Sequence, residues 1–193
     1  MRLILRLFAL AGLLFSLAVL GVVGLGGYLL VAGGAERPDC ADAGSNPLDK
    51  AAKSIVFDAK LAAFMTAGAS RALDSVEFDE AESAARAERY FADRTDRISD
   101  VALCFREGKA TGFLRIDTAL GRKLGVKAEG IVDLSGDHPM VRLTSASAGG
   151  IGAPGFLRGQ VEDAINEELQ GIEMAFPMTL RLRDGTAAIS RSP

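Results

Sequence analysis

Three hydrophobic patterns follow one another along the chain. From Leu7 to Ala35 there are 29 consecutive uncharged residues. At about 1.5 Å per residue, a helix of that length is more than enough for a hydrocarbon core of about 30 Å. From Asp49 to about Leu73 the apolar positions Ile55, Val56, Leu61, Phe64, Met65, Ala69 and Leu73 recur at three and four, the spacing of an amphipathic helix. Asn46-Pro47 supplies its start, a cap residue followed by proline at the first helical position. A second helix is predicted from Asp79. Asp79 and Glu82 have the capping-box spacing, Phe78 is placed for a hydrophobic staple, and Ala81, Ala84, Ala85 and Phe91 mark the buried stripe.

After Thr95 the period drops to two. Val101, Leu103 and Phe105 alternate with Ala102, Cys104 and Arg106, and Gly112, Leu114 and Ile116 with Phe113, Arg115 and Asp117. The same alternation runs through Val126, Ala128, Gly130, Val132 and Leu134, then through Met140 to Ala148. These read as antiparallel strands with one apolar and one wet face. A glycine-rich corner, residues 149–155, leads into a third helix. Leu157, Val161, Ala164, Ile165, Leu169 and Ile172 form its apolar stripe, with Glu162, Asp163, Glu167 and Glu168 on the solvated side. Met178, Leu180 and Leu182 alternate again, Asp184-Gly185 signals a hairpin, and Ala187 to Ser190 closes the chain. Three helices and about six strands predict an α+β domain, a curved antiparallel sheet wrapped around a long helix, behind an N-terminal transmembrane helix.

The flanks of the first apolar run set its orientation. Arg2 and Arg6 precede it, whereas Glu36, Asp39 and Asp42 follow with Arg37 as the only nearby cation. The positive-inside bias places the N-terminus in the cytoplasm and residues 36–193 outside it. An uncleaved anchor is expected over a cleaved signal, whose apolar region is usually about 7–15 residues. The organisation is then a cytoplasmic tip and anchor at 1–35, a flexible linker at 36–48 and an extracytoplasmic α+β domain at 49–193, in a single-pass cell-membrane protein. Setting aside Arg2 and Arg6, 20 of the 22 basic residues face 25 acidic ones, a net −5. That balance excludes nucleic acid as a partner and adsorption to anionic headgroups by charge alone.

Candidate chemistry is sparse. The single histidine, His138, sits in a turn, no GxSxG elbow occurs, and no His/Cys cluster has metal-ligand spacing. No catalytic residue, metal or cofactor is expected, and the chain does not read as an enzyme. Gly150-Ile151-Gly152-Ala153-Pro154-Gly155 fits GxGxxG, but the preceding strand is half polar and Pro154 removes an N–H from the loop. It reads instead as a strand-to-helix corner with glycines at positive φ. Cys40 and Cys104 both fall outside the cytoplasm, where a disulfide is permitted. A bridge between them and a lone Cys104 packed under a helix both fit the pattern.

The order of segments carries more than any short motif. An anchor leads to the acid-capped helix Phe78-Asp79-Glu80-Ala81-Glu82 and then to period-two strands. The stretch from Val141 through Thr144-Ser145-Ala146-Ser147-Ala148 to Pro154 follows, then a helix with Ala164-Ile165-Asn166, and a final hairpin. Over about residues 76–190 this layout resembles the extracytoplasmic domains of YpmS-like and LmeA-like bacterial proteins, relatives of the tubular lipid-binding (TULIP) superfamily. The helix at 49–73 has no counterpart in that pattern. The resemblance implies a curved sheet on a long helix with an apolar groove for acyl chains.

The expected function is binding of a lipid or other amphiphile. The alternative is an envelope scaffold whose exported domain binds another protein. The groove mouth is placed at Phe156, Leu157 and the end of the Met140–Ala148 strand. Val161, Ile165 and Leu169 are expected deeper, facing Leu114, Val132, Leu143 and Leu180, with Ala128 and Gly130 as a small-residue wall. Bulk introduced at Ala128 or Gly130 is expected to block a ligand without removing a fold contact.

Overall fold

The computed structural model describes residues 36–192 apart from 42–43, 45, 70–73, 119–120 and 172–173. The anchor placed at 1–35, and the helix positions Leu73 and Ile172, lie outside the described residues. These fold as α+β, with three helices and two antiparallel sheets. No helix among them is long and apolar enough to cross a membrane.

Helix α1 (Pro47–Ala69) starts where Asn46-Pro47 predicts, with the Leu48 amide donating to Asn46 Oδ1 at 2.9 Å. Its buried stripe is Ser54, Phe57, Leu61 and Phe64, whereas Ile55 and Val56 face outward. Strand β1 (Ser75–Asp79) follows; at five residues it is too short for its alternation to stand out. Helix α2 (Glu80–Ala92) begins on the predicted capping box. The Asp79 carboxylate accepts the Glu82 amide at 2.7 Å, and the Glu82 carboxylate accepts the Asp79 amide at 3.2 Å.

The larger sheet takes β2 (Ile98–Arg106), β3 (Lys109–Asp117), β4 (Lys123–Asp133), β5 (Met140–Ala148) and β6 (Ile151–Gly152) in chain order. The corner behaves as expected of glycine, with Gly149 and Gly150 at φ 60° and 83°. Helix α3 (Gly155–Gln170) then packs on β5, and β7 (Met178–Arg183) and β8 (Thr186–Arg191) form a hairpin. β8 also pairs with β1, giving the smaller sheet the order β1–β8–β7. The sheets interlock at their turns. Gly108 N–H donates to Leu182 O at 3.2 Å, and Gly185 N–H to Phe105 O at 3.1 Å.

Two features differ from the simple alternation. A register shift between β4 and β5 leaves Thr144 without a Cα partner, so Val141 and Leu143 share the inward face with Ala146 and Ala148. On α3, Glu162 is not a solvated residue. Its carboxylate accepts the Leu143 amide at 2.6 Å, and Asn166 exchanges hydrogen bonds with both backbone groups of Val141. The helix thus satisfies the edge of β5 and is fixed above it.

The stretch expected as a flexible linker is fastened over residues 37–41. Cys40 and Cys104 form a disulfide. Arg37 pairs with Asp100 at 2.9 Å, Asp39 O accepts Arg106 Nη2 at 3.2 Å, and the Ala41 amide donates to Glu80 Oε2 at 2.9 Å. Cys40 packs against the fully buried Ala102 and Phe113, on the face of β2 and β3 opposite Leu103 and Gly112.

Candidate functional site

Residue size is graded along the inner face of the larger sheet. At one end Leu114, Leu124, Val126 and Val161 pack with Tyr90 and Phe91 of α2 into a filled core. Towards the other end the cross-strand partners are small. Gly112 lies opposite Ala128, which lies opposite Ala146; Ala110 lies opposite Gly130. There the sheet does not fill the space beneath the helices, and a cavity of about 250 Å³ remains.

Five elements line it, α2 among them through Ser83 and Ala87. The larger sheet gives Leu103, Gly112, Ala128 and Val132, and α3 gives Ile165 and Leu169. The smaller sheet gives Phe78, Leu180, Leu182, Ala187 and Ile189, and α1 gives Phe57, Leu61 and Met65. α1 is held there by the Phe57–Phe78 ring stack, with centroids 4.2 Å apart, and by ion pairs to α2, Lys60–Glu82 at 2.6 Å and Arg86–Asp58 at 2.7 Å.

Ser83 carries the one hydroxyl or charge-bearing side chain among the lining residues. Leu103, Val132, Leu180 and Ile189 are only half-buried, so they keep apolar surface that no protein atom covers. The buried charges of α2 bond elsewhere. Glu80 accepts the Phe105 amide at 2.7 Å and pairs with Arg106 at 3.2 Å, while Glu82 holds Lys60. Among the described residues no group of three or more His, Cys, Asp or Glu side chains is placed to hold a metal ion. The interior offers contact to hydrocarbon and little to a polar group.

Of the residues chosen from sequence, Ala128, Gly130, Val132, Leu143, Ile165, Leu169 and Leu180 are brought together around the cavity. Leu114 and Val161 are not; both are buried in the core cluster that also holds Tyr90 and Phe91 of α2. Phe156 is 67% exposed and Leu157 half-buried at the start of α3, so the mouth placed there is absent. Gly130 also has a second reason to be glycine. A Cβ there would meet Arg142 O at 2.8 Å, so Gly130→Leu would strain the β4–β5 pairing rather than merely fill space.

The sequence reading missed the contributions of α1 and most of the smaller sheet. Phe57, Leu61 and Phe64 do keep a helical stripe, but the equally apolar Ile55 and Val56 blur it.

No family model, curated protein or solved structure matches this chain.

Proposed function

We propose that this protein binds one acyl chain, or an amphiphile carrying one, in the cavity between the two sheets, α1 and α3. The cavity itself supports the reading: about 250 Å³ with walls that are apolar apart from Ser83. An apolar cavity of about 150 Å³ holds one benzene, so this space suits roughly ten carbon atoms, one chain rather than two. At about 0.8 kcal/mol per buried CH₂, ten such groups give about 8 kcal/mol before the cost of association is met.

In this reading the larger sheet and α3 correspond to the wrapped sheet and long helix of the TULIP-like architecture. The YpmS-like and LmeA-like proteins are the proposed relatives, and α1 is an added wall of the groove. Residues 1–35 act as a single-pass anchor holding the domain outside the cytoplasm. The wall supplies no nucleophile–base pair, which favours holding or passing a lipid over transforming it. The scaffold reading draws on the apolar outer face of α1. The cavity weighs against it, since a protein-docking domain has no use for unfilled space in its core.

The test is lipid analysis of the full chain purified from membranes. About one acyl chain per protein is expected, and a chain that carries no lipid and takes up no fluorescent fatty acid overturns the proposal.

A further inference from the structure

Helix α1 is apolar on both sides. Phe57, Leu61 and Met65 face the cavity. On the opposite side Leu48, Ala52, Ile55, Ala59 and Ala62 follow helical spacing and are all exposed, Leu48 to 80% and Ile55 to 59%. No charge interrupts that outer arc. The charged residues of the helix lie along its borders, and Lys50, Asp58 and Lys60 are turned towards α2 by their pairs with Glu88, Arg86 and Glu82. A soluble surface helix usually carries its charges on the outward face. Here they are spent on the inner borders and the outward face is left as hydrocarbon.

The attachment of the domain says what covers this face. The uncharged run ends at Ala35, and Arg37 is already paired with Asp100 and Cys40 bonded to Cys104. At no more than about 3.6 Å per residue, Cys40 lies within about 18 Å of Ala35. The exported domain is thus held at the membrane surface, and α1 starts only a few residues beyond the fastened connector. Residues 36–193 are net acidic, so attraction to the surface must come from apolar contact rather than charge.

We propose that α1 is a membrane-contacting lid. Its outer face lies in the interface of the leaflet that anchors the chain, and its inner face closes the acyl cavity. The inference rests on the anchor and the cavity as read above, and adds the route by which a chain enters. The bilayer supplies the acyl chain directly across α1, with no passage through water. Displacing α1 breaks the Lys60–Glu82 and Arg86–Asp58 pairs and uncovers Leu180 and Ile189 to the interface.

The chain has no tryptophan, so a single introduced indole reports alone. The full chain carrying Ile55→Trp, Ala62→Trp or, on the exposed acidic face of α3, Asp163→Trp is placed in phosphatidylcholine vesicles with brominated or ordinary acyl chains. Bromine is expected to quench Ile55→Trp and Ala62→Trp at least about twofold, as for a helix a few ångströms below the headgroups, and to leave Asp163→Trp unchanged.

Equal emission from all three in both vesicle types overturns the proposal. So does shielding of the α1 probes from aqueous acrylamide without bromine quenching, which would mean that a second copy or another protein covers the face. Failure of the chain to float with the vesicles overturns it at the anchor. Retained acyl chain in the same vesicles is read separately. Lipid bound without quenching refutes the lid contact alone, and quenching without bound lipid refutes the cavity reading alone.

Discussion

Replacing Ala128 by phenylalanine places a ring inside the cavity from the middle of β4. Ala128 is buried, and its neighbours in the cross-strand row are Gly112 and Ala146, so the ring meets no bulky partner beside it. Benzene fills an apolar cavity of about 150 Å³, so the ring leaves roughly 100 Å³ of the 250 Å³ present, room for about four carbons instead of ten. Six fewer buried CH₂ groups at about 0.8 kcal/mol each remove about 5 kcal/mol of binding energy as an upper limit. Since 1.4 kcal/mol is tenfold, affinity for a fluorescent fatty acid is expected to fall at least about a hundredfold.

The fold should lose little. The ring enters empty space, and overpacking losses of about 1–3 kcal/mol arise where none exists. The assay pairs titration of the probe into the full chain with thermal unfolding, using Glu167→Ala on the exposed face of α3 as the unaffected control. Wild-type affinity in a normally folded Ala128→Phe protein would refute the reasoning, because the chain would then be bound somewhere other than this cavity.

Other expectations follow from the bonds that hold the walls. Glu80 is buried and accepts both the Phe105 and Ala41 amides, so Glu80→Ala should cost about 2–3 kcal/mol in denaturant unfolding. Glu80→Gln keeps an acceptor for one amide but sets its NH2 donor against the other, so it should recover only part of that loss. The Cys40–Cys104 bond spans a sequence separation of 64 residues, for which chain entropy gives about 4 kcal/mol. Reduction should lower the melting temperature, and thiol labelling without reductant should find no reactive cysteine. Glu129 bonds Lys109 and Thr144 across three strands, and the Lys109 ammonium holds its carboxyl below the ordinary glutamate value of 4.5. Its folded pKa is depressed, so its contribution is full above about pH 4.5 and lost as pH falls through the lower folded value. Glu129→Gln should therefore lower stability slightly above about pH 4.5, where the carboxylate's contribution is full, leave the strongly acid region nearly unchanged, and so flatten the acid limb between them.

The parts that local chemistry determines were readable along the chain. Asp79 and Glu82 cap α2 as their spacing demands, Asn46-Pro47 begins α1, and the period-two stretches from Val101 onward become strands. The small residues Ala128 and Gly130 pointed to the unfilled end of the sheet. Long-range facts were not readable. Nothing near Leu114 tells that it joins a packed cluster with Tyr90 and Phe91, on a helix more than twenty positions earlier. The bulge at Thr144 changes which residues face inward, and neither Thr144 nor its neighbours carry a bulge signal. β1 is defined by its pairing with β8 at the far end of the chain rather than by its five residues. The lid role of α1 was hidden because both of its faces are apolar, and periodicity separates faces only where one is polar.

The most direct measurement is photolabelling of the full chain in vesicles with a fatty acid carrying a diazirine at its methyl end, followed by mapping of the labelled peptides. Label is expected on peptides containing Ala128, Leu143 and Leu182, from the two sheets that wall the cavity, and is expected to be lost in Ala128→Phe. Label confined to residues 7–35 or to the outer face of α1, with none inside the cavity, would contradict it.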